Sequence, residues 1–233
     1  MNDVRASGRV NWRELGLLAG MLVVALVFWD YLYPLKLFTV LLHETGHALA
    51  ALVTGGSVDH IELDANLGGV CWSSGGLRLL VLPAGYLGSM LFGGLILLAA
   101  ARTRLDRAIS VAIGLLVFLV AILLVRNLFG LVVTTLTGIA LFAMGTYLSE
   151  QTNDIVLKFI GLTSCMYAVF DIKDDLISRT VPGSDAVAMS KIIPLPPVVF
   201  GLLWAGIAIV CSVWFLWLAA RKKATGQESS ERS

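Results

Sequence analysis

The chain has 233 residues, of which 58% are hydrophobic and 14% charged, with a formal net charge of +1. Soluble domains carry about 25% charged residues, so a mean hydropathy of +0.86 excludes a water-soluble globular fold. The near-neutral balance offers nucleic acid no basic field. Cys71, Cys165 and Cys211 form no CxxC pair, which argues against a disulfide framework or a thiolate metal site.

Arg5, Arg9 and Arg13 precede an apolar run from Leu15 to Trp29 that looks at first like a signal peptide. The run closes on Trp29-Asp30-Tyr31-Leu32-Tyr33-Pro34, with no small-x-small cleavage site, so it is expected to stay as a first span. Trp29, Tyr31 and Tyr33 would anchor it at the interface. Further apolar runs cover Leu35–Val53, Leu79–Ala101, Ala108–Val125, Leu128–Leu148, Ile155–Ile177 and Pro197–Ala220. Each approaches the roughly 20 residues that cross a bilayer. The fourth and fifth, parted by Arg126 and Asn127, suggest a tight hairpin of helices. Basic residues fall on both sides of this arrangement, so the positive-inside rule gives no orientation.

Between the second and third runs the pattern changes. From Ser57 to Leu63 residues alternate, Asn66-Leu67-Gly68-Gly69 follows, then Val70-Cys71-Trp72 and Gly75-Gly76. This predicts a β-hairpin around a glycine-rich turn. It must lie at the interface or against protein, because hydrocarbon leaves open strand edges unpaired. Pro194-Leu195-Pro196-Pro197 reads as a loop before the last span. The expected fold is an all-α polytopic membrane protein of about six to seven transmembrane helices with a short β-hairpin. It forms one membrane domain over residues 1–220, with 221–233 a polar, disordered tail.

The second run contains His43-Glu44-Thr45-Gly46-His47. On a helix the two histidines share a face and can bind one Zn²⁺, while Glu44 can act as general base on a metal-bound water. Ionisable groups cost about 2.5–3.5 kcal/mol each at the centre of a spanning helix on insertion scales, which disfavours a purely packing role. A catalytic zinc site needs a third protein ligand. Asp171, Asp174 and Asp175 fall at i, i+3 and i+4 of the sixth run. Asp171 lies deepest and is the expected ligand. Asp174 and Asp175 are alternatives or acceptors that orient the ligand histidines. His60, the remaining histidine, is expected to be an interfacial hairpin residue.

The motif His43-Glu44-Thr45-Gly46-His47-Ala48 in a spanning helix, the hairpin after it, and Pro83-Ala84-Gly85-Tyr86-Leu87-Gly88-Ser89 resemble the site-2 protease family of intramembrane zinc metalloproteases. The likeness is good over about residues 35–95 and loose over 160–180. It implies an enzyme, a zinc-dependent metalloendopeptidase that cleaves membrane-anchored protein substrates within or near the bilayer. It further implies an aspartate from a later helix on the zinc, and regulatory cleavage of a signalling protein. The Asn-Pro and Leu-Asp-Gly segment usual in that family is absent, Phe170-Asp171-Ile172 standing instead, and no PDZ-like or CBS-like domain is inserted. The chain thus resembles a divergent branch, an integral multi-pass protein expected in the cell membrane. A metal or ion transporter and an inactive relative are the competing readings. A transporter would need the ligands but no base between them.

Overall fold

The computed structural model describes residues 10–173 and 183–221. Its helices are α1 (Trp12–Val27), α2 (Tyr33–Val53), α3 (Arg78–Val81), α4 (Ala84–Arg102), α5 (Asp106–Leu123), α6 (Leu128–Tyr147), α7 (Glu150–Lys173), α8 (Asp185–Ser190) and α9 (Pro197–Ala219). Five of them, α4, α5, α6, α7 and α9, are long and apolar enough to cross a membrane. The chain is an integral, multi-pass membrane protein. Helix α1, with 16 residues, and α2, whose 21 residues include Lys36 and the motif, supply the other two apolar runs. The tail from 222 onward, Asp174 and Asp175 lie outside the described residues.

Close approach of helices rests on small residues, since hydrocarbon supplies no hydrophobic force to hold them together. At Gly93 an added Cβ would stand 2.9 Å from the Gly161 carbonyl oxygen of α7. At Gly114 it would stand 2.6 Å from the Phe142 nitrogen of α6, so α5 and α6 form the tight hairpin that their two-residue spacer suggested. The large apolar side chains of α5, such as Leu116 and Ile122, point outward. Outward apolar residues are what a lipid-facing helix requires.

Two strands, β1 (Ser57–Leu63) and β2 (Gly69–Ser74), pair antiparallel with Ile61 opposite Cys71 and a bulge between Val58 and His60. Gly56 and Gly76 touch where the hairpin leaves and rejoins the helices, a Cβ on Gly56 coming within 2.7 Å of the Gly76 nitrogen. The outer edge of β1 is satisfied by the α5–α6 linker. Ile61 N–H donates to the Leu124 carbonyl at 2.8 Å, Arg126 N–H donates to the Ile61 carbonyl at 3.1 Å, and Asn127 Nδ2 donates to the Leu63 carbonyl at 2.7 Å. The outer edge of β2 pairs with no strand among the described residues.

Hydropathy placed the sixth span from Ile155, but α7 begins at Glu150. The added turns are polar because they carry an ion-pair cluster. Lys158, 6% exposed, contacts Glu14 of α1 at 2.6 Å and Asp154 at 2.8 Å. A second tie joins Asn11 N–H to the Ala220 carbonyl at 2.7 Å, fastening the start of α1 to the end of α9. Helix α1 then buries Leu18, Met21 and Ala25. Removing one member of a buried pair strands the other charge. Lys158→Met is therefore expected to destabilise the protein by about 3 kcal/mol, read as a lowered thermal midpoint in detergent, with Glu14→Gln milder. An unchanged midpoint would show that α1 is held by packing alone.

Candidate metal centre

Helix α2 carries His43 and His47 on one face and Glu44 on the adjoining one, all three buried. It can carry the histidines because α4 comes in along their face on glycine. A Cβ on Gly46 would run into the Ala84 carbonyl, and a Cβ on Gly85 would fall against the Nε2 atoms of both imidazoles. The rings are fixed from several sides. Nδ1–H of His47 donates to the Val81 carbonyl at 2.7 Å. A carbonyl can only accept, so the Nε2 of neutral His47 carries a lone pair and faces inward. Tyr86 stands edge-on to His43 at 4.7 Å and 89°, and Trp204 backs Tyr86 at 5.7 Å.

The third member of this group is Asp185. Its Oδ2 lies 3.2 Å from His43 Nε2 and 3.1 Å from His47 Nε2, while the two Nε2 atoms are 3.0 Å apart. Three ligand atoms within 4.8 Å of one another form a potential metal group. Ligands about 2.0–2.1 Å from a tetrahedral zinc would be roughly 3.3 Å apart, so the observed triangle fits with a slight opening. Three lone-pair donors converging this closely need a cation or a shared proton between them. Burial would raise the Asp185 carboxyl, but the His47 and His43 imidazoles beside it hold it below the usual carboxylate range.

Asp185 opens helix α8, where Ser184 caps the amino end by accepting from Val187 N–H at 3.4 Å. Ala186 and Met189 pin that short helix against Leu82, Tyr86, Ile172 and Trp204. The sequence signal available was the Gly183-Ser184-Asp185 cap. It sits in a connection between spans, whereas Asp171 was favoured for its depth in an apolar run. Asp171 does not join the triangle. It stands on the other side of the His43 ring, with Oδ2 3.7 Å from Nδ1. His60 lies on the hairpin beside Asp59, at 2.7 Å, and is not part of the group.

Glu44 points away from α4 to the hairpin. At Gly69 of β2 an added Cβ would stand 2.7 Å from Glu44 Oε1, so the strand lies directly on the carboxylate. Burial and the Glu44 charge push the Cys71 thiol up to about 12, so it stands beside Glu44 as a neutral group. These groups open on a cavity of about 1020 Å³ between α2, the hairpin and α7, with Trp29, Lys36, Arg78 and Phe170 also in its wall. The exposed edge of β2 forms one side, through Gly69, Val70, Cys71 and Ser73.

The arrangement therefore combines a buried two-histidine, one-carboxylate triangle, an adjacent carboxylate and a strand edge, all in a membrane helix bundle. A family model of peptidase M50B-like proteins matches residues 17–219, which takes in every one of these parts. The chain belongs to the peptidase M50B-like family. That puts it among the site-2 protease-type peptidases its motif resembles, at family level intramembrane metallopeptidases. No curated protein and no solved structure matches the chain.

The packing at Gly85 gives a direct test. Gly85→Ala is expected to push the imidazoles apart and lower divalent-metal affinity by at least about tenfold, measured as metal retained after dialysis against a chelator. Gly69→Ala should leave metal content unchanged while displacing Glu44. Equal metal retention by Gly85→Ala and the parent chain would contradict the geometry.

Proposed function

We propose that this M50B-like peptidase is a zinc-dependent endopeptidase that cuts membrane-anchored proteins within or beside the bilayer. His43, His47 and Asp185 would be its metal ligands and Glu44 its general base. The observation that carries this reading is the convergence of both Nε2 atoms and the Asp185 carboxylate at 3.0–3.2 Å. The family supplies the reaction class. This reading gives the third ligand position to Asp185 rather than Asp171.

A zinc ion held there would supply Lewis acidity and lower the pKa of a bound water to about 7. The chain's own contributions are separable. Val81 and Tyr86 hold the histidines in orientation, so their Nε2 atoms face the triangle. Glu44 accepts the water proton and returns it to the leaving amine nitrogen, which departs as a neutral amine. Burial keeps bulk water from the carboxylate and strengthens each electrostatic contact. A substrate helix must first unwind, because its amides are otherwise satisfied internally. The open edge of β2 can pair with the extended segment by strand addition, presenting a substrate carbonyl next to Glu44.

A metal transporter needs ligands but gives Glu44 nothing to do, and the strand seated on Glu44 at Gly69 favours the peptidase. The test is Glu44→Gln, assayed with zinc content against a panel of single-span membrane substrates. It should retain zinc and lose cleavage by at least about 10²–10⁴-fold. Cleavage at the parent rate by Glu44→Gln would remove Glu44 from the mechanism.

A further inference from the structure

The two ligand histidines are supported unequally. His47 has its Nδ1–H satisfied by the Val81 carbonyl at 2.7 Å. His43 Nδ1 is buried and makes no hydrogen bond. Yet the His43 Nε2 atom is the one turned to Asp185 and His47. If Nε2 binds a cation through its lone pair, the ring proton must reside on Nδ1. A buried N–H without an acceptor is a costly arrangement that native sites avoid.

One carboxylate faces that nitrogen. Asp171 Oδ2 is 3.7 Å from His43 Nδ1, too long for a hydrogen bond but in line to become one. Its side chain keeps 21% exposure. It lies on α7 next to Ile172, which is buried among Leu82, Tyr86, Ala186 and Trp204. An approach by about half an ångström would bring the pair within hydrogen-bond distance. We propose that Asp171 is the positioning residue for His43: its carboxylate accepts the Nδ1–H, fixes the tautomer and aims Nε2 at the metal. The inference rests on the zinc reading of the site given above. It gives Asp171 a role distinct from that of Asp185, although both touch the same imidazole. Asp185 meets the metal-facing edge of the ring and Asp171 the opposite one.

The difference is measurable without substrate. Full-length protein, Asp171→Ala, Asp171→Asn and Asp185→Asn are purified in detergent. Each is stripped of metal, then titrated with Zn²⁺ against a chromophoric chelator and with Co²⁺ followed by visible absorption. Asp171→Ala should still bind one equivalent of metal, about 10–100-fold more weakly, with the Co²⁺ band position of the parent. Asp171→Asn, which keeps an acceptor oxygen, should fall between. Asp185→Asn should lose the tetrahedral Co²⁺ band or bind no metal. Metal-free thermal midpoints should agree between the parent and the Asp171 variants, which separates positioning from folding.

Unchanged Zn²⁺ affinity in Asp171→Ala would overturn the proposal while leaving the zinc reading intact. So would an altered Co²⁺ spectrum in Asp171→Ala, since that would make Asp171 a ligand. A parent chain that takes up neither metal would overturn both.

Discussion

The candidate site depends on a close approach of three lone-pair groups that a shared proton or a cation must bridge. Two imidazole nitrogens and a carboxylate oxygen approach within 3.0–3.2 Å of each other in a buried pocket. In a low-dielectric site such a cluster of lone pairs is unfavourable unless a shared proton or a cation bridges it. The chain spends much of its architecture keeping the groups together. Glycines at 46 and 85 let α4 lie against the imidazoles. Val81 ends a helix of four residues with its carbonyl free for His47. Helix α8 begins with Asp185 and buries Ala186 and Met189 against the bundle.

A second constraint runs through the hairpin. Membranes do not tolerate lipid-exposed strand edges, and the α5–α6 linker satisfies one edge at Ile61 and Leu63. That linker is only four residues long, from Leu124 to Asn127, yet every one of its polar groups that reaches β1 is used. The other edge faces the cavity beside Glu44. The same pairing requirement that makes an open edge costly makes it receptive to an unwound substrate. It is placed where a newly paired carbonyl would meet Glu44.

How far the sequence could be read follows from how local each signal is. Apolar runs of near-constant length reveal spans because hydropathy is a property of the run itself, and seven runs correspond to helices α1, α2, α4, α5, α6, α7 and α9. The hairpin was legible from alternation and glycines, with β1 and β2 falling where these occur. The motif was legible because i, i+4 geometry is a property of any helix. Asp185 was not legible in that way. Its proximity to His43 spans 142 residues of chain and arises only when α8 docks against α4, α7 and α9. Depth in an apolar run pointed to Asp171, which the structure places beside His43 but outside the triangle that Asp185 completes. The start of α7 escaped hydropathy for the opposite reason: Glu150, Asp154 and Lys158 are polar, and Glu150 and Lys158 find partners on α5 and α1.

The two polar regions of α7 are therefore related by geometry. Lys158 and Asp171 are 13 residues apart, or about 20 Å along the helix at 1.5 Å per residue. One end is closed by ion pairs that anchor α1. The other borders the metal triangle and the cavity. Between them α7 is lined with small and mid-sized buried residues such as Gly161, Ser164 and Cys165, which seat it against α4. A helix clamped at one end and packed along its length holds its other end in register. Asp171 is thereby kept within a small rotation of His43. The charged cluster thus fixes how α7 sits in the bundle, and with it the level at which Asp171 meets His43.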